Sequence, residues 1–299
     1  EWLGDAAELS KKIRERCPEI RQVFGGYMAS PNPELCFQLA PIDWVCRGEG
    51  ELPMQKLLDG LVRGQEPEGV SGIGYMRGDA YVDNGFGETV DLDELPLYNY
   101  EKLNLAHHAF NLEKNPMTPY TAPIGHFVTG RGCPFNCNFC FSVQKFRRES
   151  LASLERRLDH FVARVQPKTV LFYDDTFCFS EDWVVEMCDM LRRKDYGFRF
   201  TCTARPNLFT RRMAQALKDA GCYRAHFALE VADDGVLKRM NKNITVEQWE
   251  GAVALAKEEG IQPNISAMAG QPGETWAMTA RTAQLVANVP DERYPWASV

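Results

Sequence analysis

Three cysteines lie close together in the segment "RGCPFNCNFC" (131–140). Cys133, Cys137 and Cys140 follow the spacing Cys-x3-Cys-x2-Cys, and thiolates are ligands of both zinc and iron–sulfur clusters. A structural zinc site normally takes four protein ligands. Three thiolates on a [4Fe–4S] cluster instead leave one iron open to a further ligand, which is a catalytic arrangement. Phe139, directly before the last cysteine, is expected to form an apolar wall of such a site.

Zinc binding and thiol redox chemistry are the alternatives to a cluster. Further along the chain, four cysteines without paired spacing offer no second half of a zinc site: Cys178, Cys188, Cys202 and Cys222. Cys188 falls on the apolar face of a predicted helix, where a buried thiol is expected. Redox exchange between the last two cysteines of the motif would leave the first without a role. The pattern therefore favours the cluster.

Length and charge limit the classes of protein and partner. The chain has 299 residues and a formal net charge of −7, with no long basic run, so duplex nucleic acid is not an expected partner. No apolar run approaches the about 18–20 residues that a membrane span requires. Ten cysteines without an export signal predict a reducing, cytoplasmic location. The chain begins inside a helical pattern and ends in a new strand, which predicts a piece of a longer protein.

The elements that must position the cysteines form a regular series from residue 124 onward. Five short apolar runs alternate with helical patterns: "IGHFVT", "TVLFY", "FRFTC", "RAHFAL" and "PNISAM". A sixth strand is expected to begin at "WASV". This alternation predicts an α/β barrel or a doubly wound sheet, in which ligands bind at the carboxyl ends of the strands. The three cysteines directly follow the first strand of the series, so they are predicted to lie at that end.

The motif "CPFNCNFC" resembles the signature of radical S-adenosylmethionine (SAM) enzymes, in which the residue before the last cysteine is aromatic. The resemblance implies a partial (β/α)6 barrel. It also implies that Cys133, Cys137 and Cys140 hold a [4Fe–4S] cluster whose free iron chelates SAM. Reduction would then cleave SAM to methionine and a 5′-deoxyadenosyl radical.

The same resemblance assigns roles at the ends of the later strands. Asp174 or Asp175 in "LFYDDTF" would contact the amino group of SAM, where many relatives have Gly-Gly-Glu instead. Arg205 in "TARPN" would pair with the SAM carboxylate. Glu230 in "FALE" would bind the ribose hydroxyls. Gly270 in "AGQPGE" would let the backbone approach the adenine.

The first segment resembles the C-terminal half of a cobalamin-binding Rossmann-like domain, on the residues "VFGGYMASPNPE" and "DWVCRGEGELPMQKLL". Gly25, Gly26 and Gly48 would bring backbone close to the corrin or to its nucleotide tail. "GIGYMRGDAYVDNG" predicts a hairpin that turns at Gly78 and Asp79. The predicted organisation is a partial cobalamin-binding domain (1–83), a connector (84–123) and a radical SAM barrel (124–299) that is incomplete at its C-terminus.

The resemblance points to the cobalamin-binding branch of the family, which includes cobalamin-dependent methylases and anaerobic magnesium-protoporphyrin ester cyclase. It implies methyl transfer to an unactivated carbon of a small-molecule substrate, with radical cyclisation or rearrangement as the alternative. An electron donor such as flavodoxin or ferredoxin is implied as a partner. Neither a nucleic acid nor a membrane is expected as a partner. The alternative from another class is a non-enzymatic module that binds zinc or an iron–sulfur cluster.

Overall fold

The computed structural model describes residues 2–65, 67–103, 123–141 and 145–289. The chain divides into two compact units, residues 1–95 and residues 96–299. The division falls inside the predicted connector 84–123. The second half of that connector and the sixth strand predicted at "WASV" lie outside the described residues.

The first unit is a small α/β sheet. Its helices and strands in chain order are α1 (Trp2–Arg16), β1 (Val23–Phe24), α2 (Gly26–Ala29), α3 (Pro33–Leu39), β2 (Trp44–Cys46), α4 (Glu51–Val62), β3 (Ile73–Arg77) and β4 (Ala80–Val82). The strand order is β1-β2-β3-β4, with β1 and β2 parallel and the other pairs antiparallel. The predicted hairpin is confirmed, and Gly78 at its turn has a positive φ of 61°.

Two small apolar clusters stabilise the first unit, one on each side of its sheet. Cys36 and Val45 are fully buried in the first cluster, among alanines from α1 and α2. Leu57 of α4 and Ile73 of β3 are buried in the second, next to Trp44. The first strand, β1, is only two residues long.

The second unit contains a five-stranded parallel sheet of order β11-β10-β9-β8-β5 and a two-stranded antiparallel sheet, β6-β7. Its strands are β5 (Ile124–Phe127), β6 (Gly130–Arg131), β7 (Arg147–Arg148), β8 (Thr169–Phe172), β9 (Arg199–Ala204), β10 (Cys222–Glu230) and β11 (Gln262–Ala267). Its helices are α5 (Leu151–Val165), α6 (Glu181–Lys194), α7 (Arg211–Asp219), α8 (Asp234–Arg239), α9 (Val246–Glu258) and α10 (Trp276–Ala287). All five strands expected from the apolar runs are therefore present.

Polar side chains begin several helices of the second unit. Ser180 and Thr210 each accept a hydrogen bond from the third backbone N–H of their helix. Thr245 and Gln248 form a reciprocal capping box at the start of α9. Gly260, just beyond the end of that helix, has a φ of 71°.

One large core lies between the sheet and its helices. Along β9, Phe200, Cys202 and Ala204 are buried against the helices, while Thr201 and Thr203 are half-buried on the opposite face. That alternation follows from the two-residue period of a strand. It leaves a largely polar inner face in this part of the sheet.

The later cysteines come together in this core, although their sequence spacing gave no sign of it. Cys178, Cys188, Cys202 and Cys222 are all buried there. The sulfur atoms of Cys202 and Cys222 are 3.9 Å apart, because the two residues lie on neighbouring parallel strands. The expected buried thiol at Cys188 is confirmed, and burial raises its pKa far above the usual range.

Among the described helices, none combines the length and the apolar character that crossing a bilayer requires.

Candidate cofactor site

The cysteine loop (residues 133–140) connects the two short strands β6 and β7 beyond the carboxyl end of β5. Only glycine fits at Gly130 in β6, because a Cβ there would lie 2.8 Å from the carbonyl oxygen of Arg147 on β7. The Sγ of Cys133 lies 3.2 Å from the Oγ1 of Thr176, which follows β8. The loop is thus set against the end of the neighbouring strand, as its position in the sequence predicts.

The three thiols face one pocket of about 250 Å³ at the carboxyl ends of β8, β9 and β10. Its lining comprises Cys133, Cys137, Phe139, Cys140, Asp175, Thr176, Thr203, Ala204, Arg205, Pro206, His226, Ala228, Glu230 and Lys242. All three cysteines are free thiols, and partial burial together with the other two thiols raises the pKa of Cys140. The structure therefore brings together residues from five separate segments of the chain.

A buried charged network forms the wall opposite the cysteines. Lys242 Nζ donates to Glu230 Oε1 over 2.8 Å, and both side chains are at most 10% exposed. The guanidinium of Arg205 donates to the backbone oxygen of Lys242 and lies 3.7 Å above the ring of Phe135. Its Nε is buried and finds no hydrogen-bond acceptor among the residues that the structure describes. An anionic group entering the pocket would satisfy that donor.

Glu230 has an unusual backbone conformation for a buried residue. Its φ is 68°, in the left-handed region that non-glycine residues seldom adopt, and the pairing of β10 with β11 shifts its register at this point. Strained backbone of this kind concentrates at functional sites. The geometry turns the carboxylate of Glu230 into the pocket, next to His226 and Lys242.

The structure separates the two candidate aspartates after β8. The carboxylate of Asp174 is buried away from the pocket and accepts hydrogen bonds from the backbone N and the Oγ1 of Thr129, at 3.1 and 2.7 Å. Burial raises the pKa of Asp174, and those hydrogen bonds oppose the shift. Asp175 lines the pocket. Asp174 therefore holds the end of β5 against β8, whereas Asp175 is available to a ligand.

Phe139 and Gly270, two further residues predicted to lie at the cofactors, also differ in whether they line the pocket. Phe139 lines the pocket and is 37% exposed, and the Nζ of Lys242 lies 5.8 Å from the centre of its ring. Gly270, after β11, is not among the residues that line the pocket; its φ of 84° requires the conformational freedom of glycine. Its predicted contact with adenine stays a prediction.

Besides Thr176, which lies against Cys133, sequence reasoning missed three polar residues of this pocket. His226, Thr203 and Lys242 lie along or beyond strands that were predicted correctly. Alternation along β9 and β10 marks Thr203 and His226 as facing the side opposite the core, and His226 lies 3.1 Å from the hydroxyl of Ser266 on β11. Burial lowers the pKa of His226. Lys242 carried no local signal, because its partner Glu230 lies before an intervening helix.

The spacing of the thiols bears on the choice of metal. Within the described residues, no three Cys, His, Asp or Glu side chains are placed to hold a single metal ion. Tetrahedral zinc holds thiolates at about 2.3 Å, which brings their sulfurs to within about 4 Å of one another. A cluster gives each thiolate its own iron and so accepts a wider spacing. A cluster site therefore takes a wider spacing of thiolates than a zinc site does.

The three glycines singled out in the first unit lie at the carboxyl edge of its parallel strand pair. Gly25 and Gly26 follow β1, and Gly48 follows β2. Gly26 and Gly48 have positive φ angles of 86° and 82°. A Cβ added at Gly26 would meet no atom within 4 Å, so the backbone there is open to a ligand. The backbone N–H of Gly48 is already bound by the hydroxyl of Ser30.

Curated relatives align with most of this chain and are themselves much longer. The chain is 32% identical over 280 residues to an uncharacterised methyltransferase of Pyrococcus horikoshii, covering 90% of this chain and 57% of the relative. It is 24% identical to the anaerobic magnesium-protoporphyrin IX monomethyl ester cyclase of Rubrivivax gelatinosus, covering 97% of this chain and 52% of that enzyme. The chain thus spans about half the length of the curated relatives it matches.

Two solved structures have the same fold over most of the chain. The radical SAM methyltransferase TsrM of Kitasatospora setae superposes with a TM-score of 0.78 at 19% identity, over 96% of this chain and 57% of TsrM. The cobalamin-dependent SAM radical enzyme OxsB superposes with a TM-score of 0.74 at 21% identity, over 89% of this chain and 38% of OxsB. Both units therefore have the architecture expected from the sequence, a partial radical SAM barrel preceded by part of a Rossmann-like domain.

The family model of the radical SAM superfamily matches residues 127–286, which include the cysteine loop and four of the five barrel strands in full. Because this match extends over more than half of the 299 residues, the chain belongs to the radical SAM superfamily, whose cofactors are a [4Fe–4S] cluster and SAM.

Proposed function

We propose that this protein reductively cleaves SAM at a [4Fe–4S] cluster and uses cobalamin to transfer a methyl group to an unactivated carbon of a small molecule. The observation that carries the proposal is the meeting of three free thiols with a buried Arg–Lys–Glu network around one pocket. When bound and reduced, the cluster would supply the electron that breaks a carbon–sulfur bond of SAM and gives a 5′-deoxyadenosyl radical.

The residues of the pocket fit both halves of that cofactor pair. Cys133, Cys137 and Cys140 provide three thiolate donors, and the cluster leaves one iron for SAM. The unpartnered Nε of Arg205 suits the carboxylate of SAM, since charge-assisted hydrogen bonds from Arg to carboxylates are strong. Glu230 can accept hydrogen bonds from ribose hydroxyls.

The chain's own residues would orient SAM and exclude water. Lys242 neutralises part of the charge on Glu230, which lowers the cost of burying that carboxylate. Asp175 lies where an ammonium group would be stabilised, on the pocket side of β8. Phe139 covers the cluster side of the pocket with apolar surface. Arg205 is fixed by Phe135 and by the backbone of Lys242, so its free N–H points in one direction.

Cobalamin is proposed for the first unit on the shape of its sheet edge. In open α/β sheets, ligands bind outside the carboxyl ends of parallel strands, and β1 and β2 form such a pair. The open backbone at Gly26 leaves room for a large planar ligand there, whereas Gly48 is packed against Phe86. OxsB and TsrM have been crystallised with cobalamin bound and share this fold.

Radical cyclisation is the second candidate, and one observation favours it. The magnesium-protoporphyrin ester cyclase aligns with 97% of this chain, across both units. Against it stands the greater number of relatives and structural neighbours that are named methyltransferases or methylases. Methyl transfer is therefore the leading proposal. A flavodoxin or ferredoxin is the proposed electron donor for either reaction.

The products of SAM distinguish these reactions before the substrate is known. The full-length protein is reconstituted anaerobically with iron, sulfide and cobalamin, then supplied with SAM, reductant and a small-molecule extract of its source cells. Methyl transfer predicts both 5′-deoxyadenosine and S-adenosylhomocysteine by mass spectrometry, because the donated methyl group also comes from SAM. Formation of 5′-deoxyadenosine alone would support cyclisation instead. A reconstituted protein with full iron content that forms neither product would contradict both.

A further inference from the structure

The turn that follows α8 contacts the cysteine loop through three hydrogen bonds. The backbone N–H and the side-chain amide of Asn138 donate to the carbonyl oxygens of Met240 and Arg239, at 2.9 and 2.8 Å. The side-chain amide of Asn241 donates to the carbonyl oxygen of Asn136 at 2.6 Å. Loop and turn are about a hundred positions apart in the sequence. We call residues 239–242 the anchoring turn.

Asn241 occupies a position where glycine is the usual residue. The N–H of Lys242 donates to the carbonyl of Leu237 and the N–H of Asn241 to that of Lys238, which is the hydrogen-bond pattern of a Schellman motif ending α8. Asn241 has the left-handed conformation of that motif, with a φ of 53°. Glycine adopts this conformation without steric cost. Asparagine also adopts it, so the helix end accounts for the backbone conformation, and the hydrogen bond from the side chain to the cysteine loop is a separate contact that glycine could not make.

The anchoring turn also reaches the opposite wall of the pocket. Lys242 pairs with Glu230 through its side chain and accepts a hydrogen bond from Arg205 through its backbone oxygen. Its Nζ lies 5.8 Å from the ring centre of Phe139. One four-residue segment thus contacts both the loop that carries the thiols and the charged residues at the carboxyl ends of β9 and β10. Movement of this segment would change the distance between the two walls.

We infer that the anchoring turn sets the position of the cysteine loop before any cofactor binds, and that Asn241 is the positioning residue that ties the two together. The inference rests on the proposed function only in assuming that the loop holds a [4Fe–4S] cluster. The hydrogen bonds between turn and loop are present in the protein chain without it. A residue that merely ended α8 would be replaced by glycine without effect on the loop. If Asn241 ties the turn to the loop, the same replacement removes its hydrogen bond to Asn136 and leaves the loop less firmly held.

The test compares Asn241→Gly with the parent in the full-length, cofactor-free protein under anaerobic conditions. Iodoacetamide alkylation of individual cysteines is followed by peptide mass spectrometry. We expect Cys133 and Cys137, which are half-buried, to react about three- to tenfold faster in the variant, as the loss of one net hydrogen bond allows. Cys188 in the core should stay unreactive, and the melting temperature should stay equal or rise, because glycine suits the helix end.

Gln166→Gly is the matched control. Gln166 also ends a helix of the second unit in the left-handed conformation, with a φ of 48°, and is exposed after α5. Its replacement should leave the alkylation of all three motif cysteines unchanged. Asn138→Ala is the second variant, since it removes the side-chain donor to Arg239 without adding a charge beside the thiols. It should accelerate alkylation by a similar factor.

Unchanged alkylation rates in both Asn241→Gly and Asn138→Ala would overturn the inference, as would an equal acceleration by Gln166→Gly. Measuring iron uptake tests the proposed function separately from the tether. After reconstitution, the tethered parent should bind iron and sulfide faster than Asn241→Gly. If the parent binds no iron while the alkylation rates respond as expected, the tether stands and the cluster proposal fails.

Discussion

Both units of this chain place loops at the carboxyl ends of parallel strands, but their cores differ greatly in size. In the second unit, the parallel strands have four to nine residues and support one large core that includes Phe200, Phe227 and Leu217, all fully buried. In the first unit, the parallel strands β1 and β2 have two and three residues and separate two small clusters.

The difference is also visible at the candidate sites. The pocket of the second unit is lined by side chains whose positions are fixed by an ion pair, a cation–π contact and a strained backbone position at Glu230. The corresponding edge of the first unit offers glycines, with Tyr27 and Met28 exposed beside them. A large core supports a preorganised site for small cofactors, whereas a thin one presents an open edge to which a large ligand can add its own apolar surface.

The largest effect is expected from replacing a motif cysteine. The change removes a thiolate ligand of the cluster, which belongs to the pocket of the second unit. Cys133→Ala, Cys137→Ala and Cys140→Ala should each abolish the brown iron–sulfur absorbance and SAM cleavage after reconstitution. Cys188→Ala is the control, because that thiol is buried in the core. A triple variant without the three motif cysteines that still cleaves SAM reductively would refute the assignment.

Core truncation should show that the larger core carries more stability. Phe227→Ala should lower the free energy of unfolding of the second unit by about 3–5 kcal/mol, since Phe227 is fully buried in the large cluster. Leu57→Ala, in the smaller cluster of the first unit, should cost about 2–3 kcal/mol. Hydrogen exchange read on peptides of β10 and of β2 separates the two effects. Val62→Ala, at an exposed position, should change neither by more than about 0.5 kcal/mol.

Glu230→Gln tests whether the charged network of the pocket serves SAM. A lost charge-assisted hydrogen bond should weaken SAM binding by about 1.5–3 kcal/mol in calorimetry, while the cluster is retained. Because the change also removes the counter-charge of Lys242, the affinity is measured well below the melting temperature of the variant. Glu247→Gln, an exposed change on α9, is the control. Equal affinities for Glu230→Gln and the parent would remove Glu230 from the site.

The smallest effect is expected in the first unit, at Asp43. Its carboxylate accepts hydrogen bonds from the backbone N of Gln22 and from Arg14 and Arg21, which tie α1 to the start of β2. Partial burial would raise the pKa of Asp43, but those hydrogen bonds outweigh it and lower the pKa. Asp43→Asn should therefore lower the free energy of unfolding by about 1–2 kcal/mol at pH 7.

The lowered pKa also fixes the direction of the pH dependence. The stabilisation from Asp43 is fully present above the unfolded-state pKa of about 3.9 and is lost as the pH falls through the lower folded-state pKa. The difference between parent and Asp43→Asn should thus shrink in denaturant titrations below about pH 4. Asp59→Asn, an exposed change on α4, is the control and should leave the free energy of unfolding at pH 7 within about 0.5 kcal/mol of the parent. A gap that grows on acidification would contradict the contact.

The sequence predicted the strands of the second unit because their apolar runs are short, regular and separated by well-capped helices. It predicted the cysteine loop because chelating spacing is local. It did not predict that Lys242 pairs with Glu230, or that Cys202 meets Cys222, because these contacts form between distant segments after the sheet assembles. Two adjacent aspartates were indistinguishable in sequence, since only the partner of Asp174, Thr129, reveals which one faces inward.

The first unit was harder to predict for a related reason. A two-residue strand such as β1 has no alternation to detect, and its parallel partner β2 is buried at all three residues. Its hairpin was clear because Gly78 and Asp79 mark a turn by chemistry rather than by packing.

The central claim is that the cysteine loop and the charged wall of the pocket form one cofactor site. Electron paramagnetic resonance of the reduced, reconstituted protein tests it most directly, with and without SAM. Since one iron is open to SAM, addition of SAM should change the cluster spectrum of the parent, and Glu230→Gln should need a higher SAM concentration for the same change. A cluster spectrum that is identical with and without saturating SAM would contradict the account.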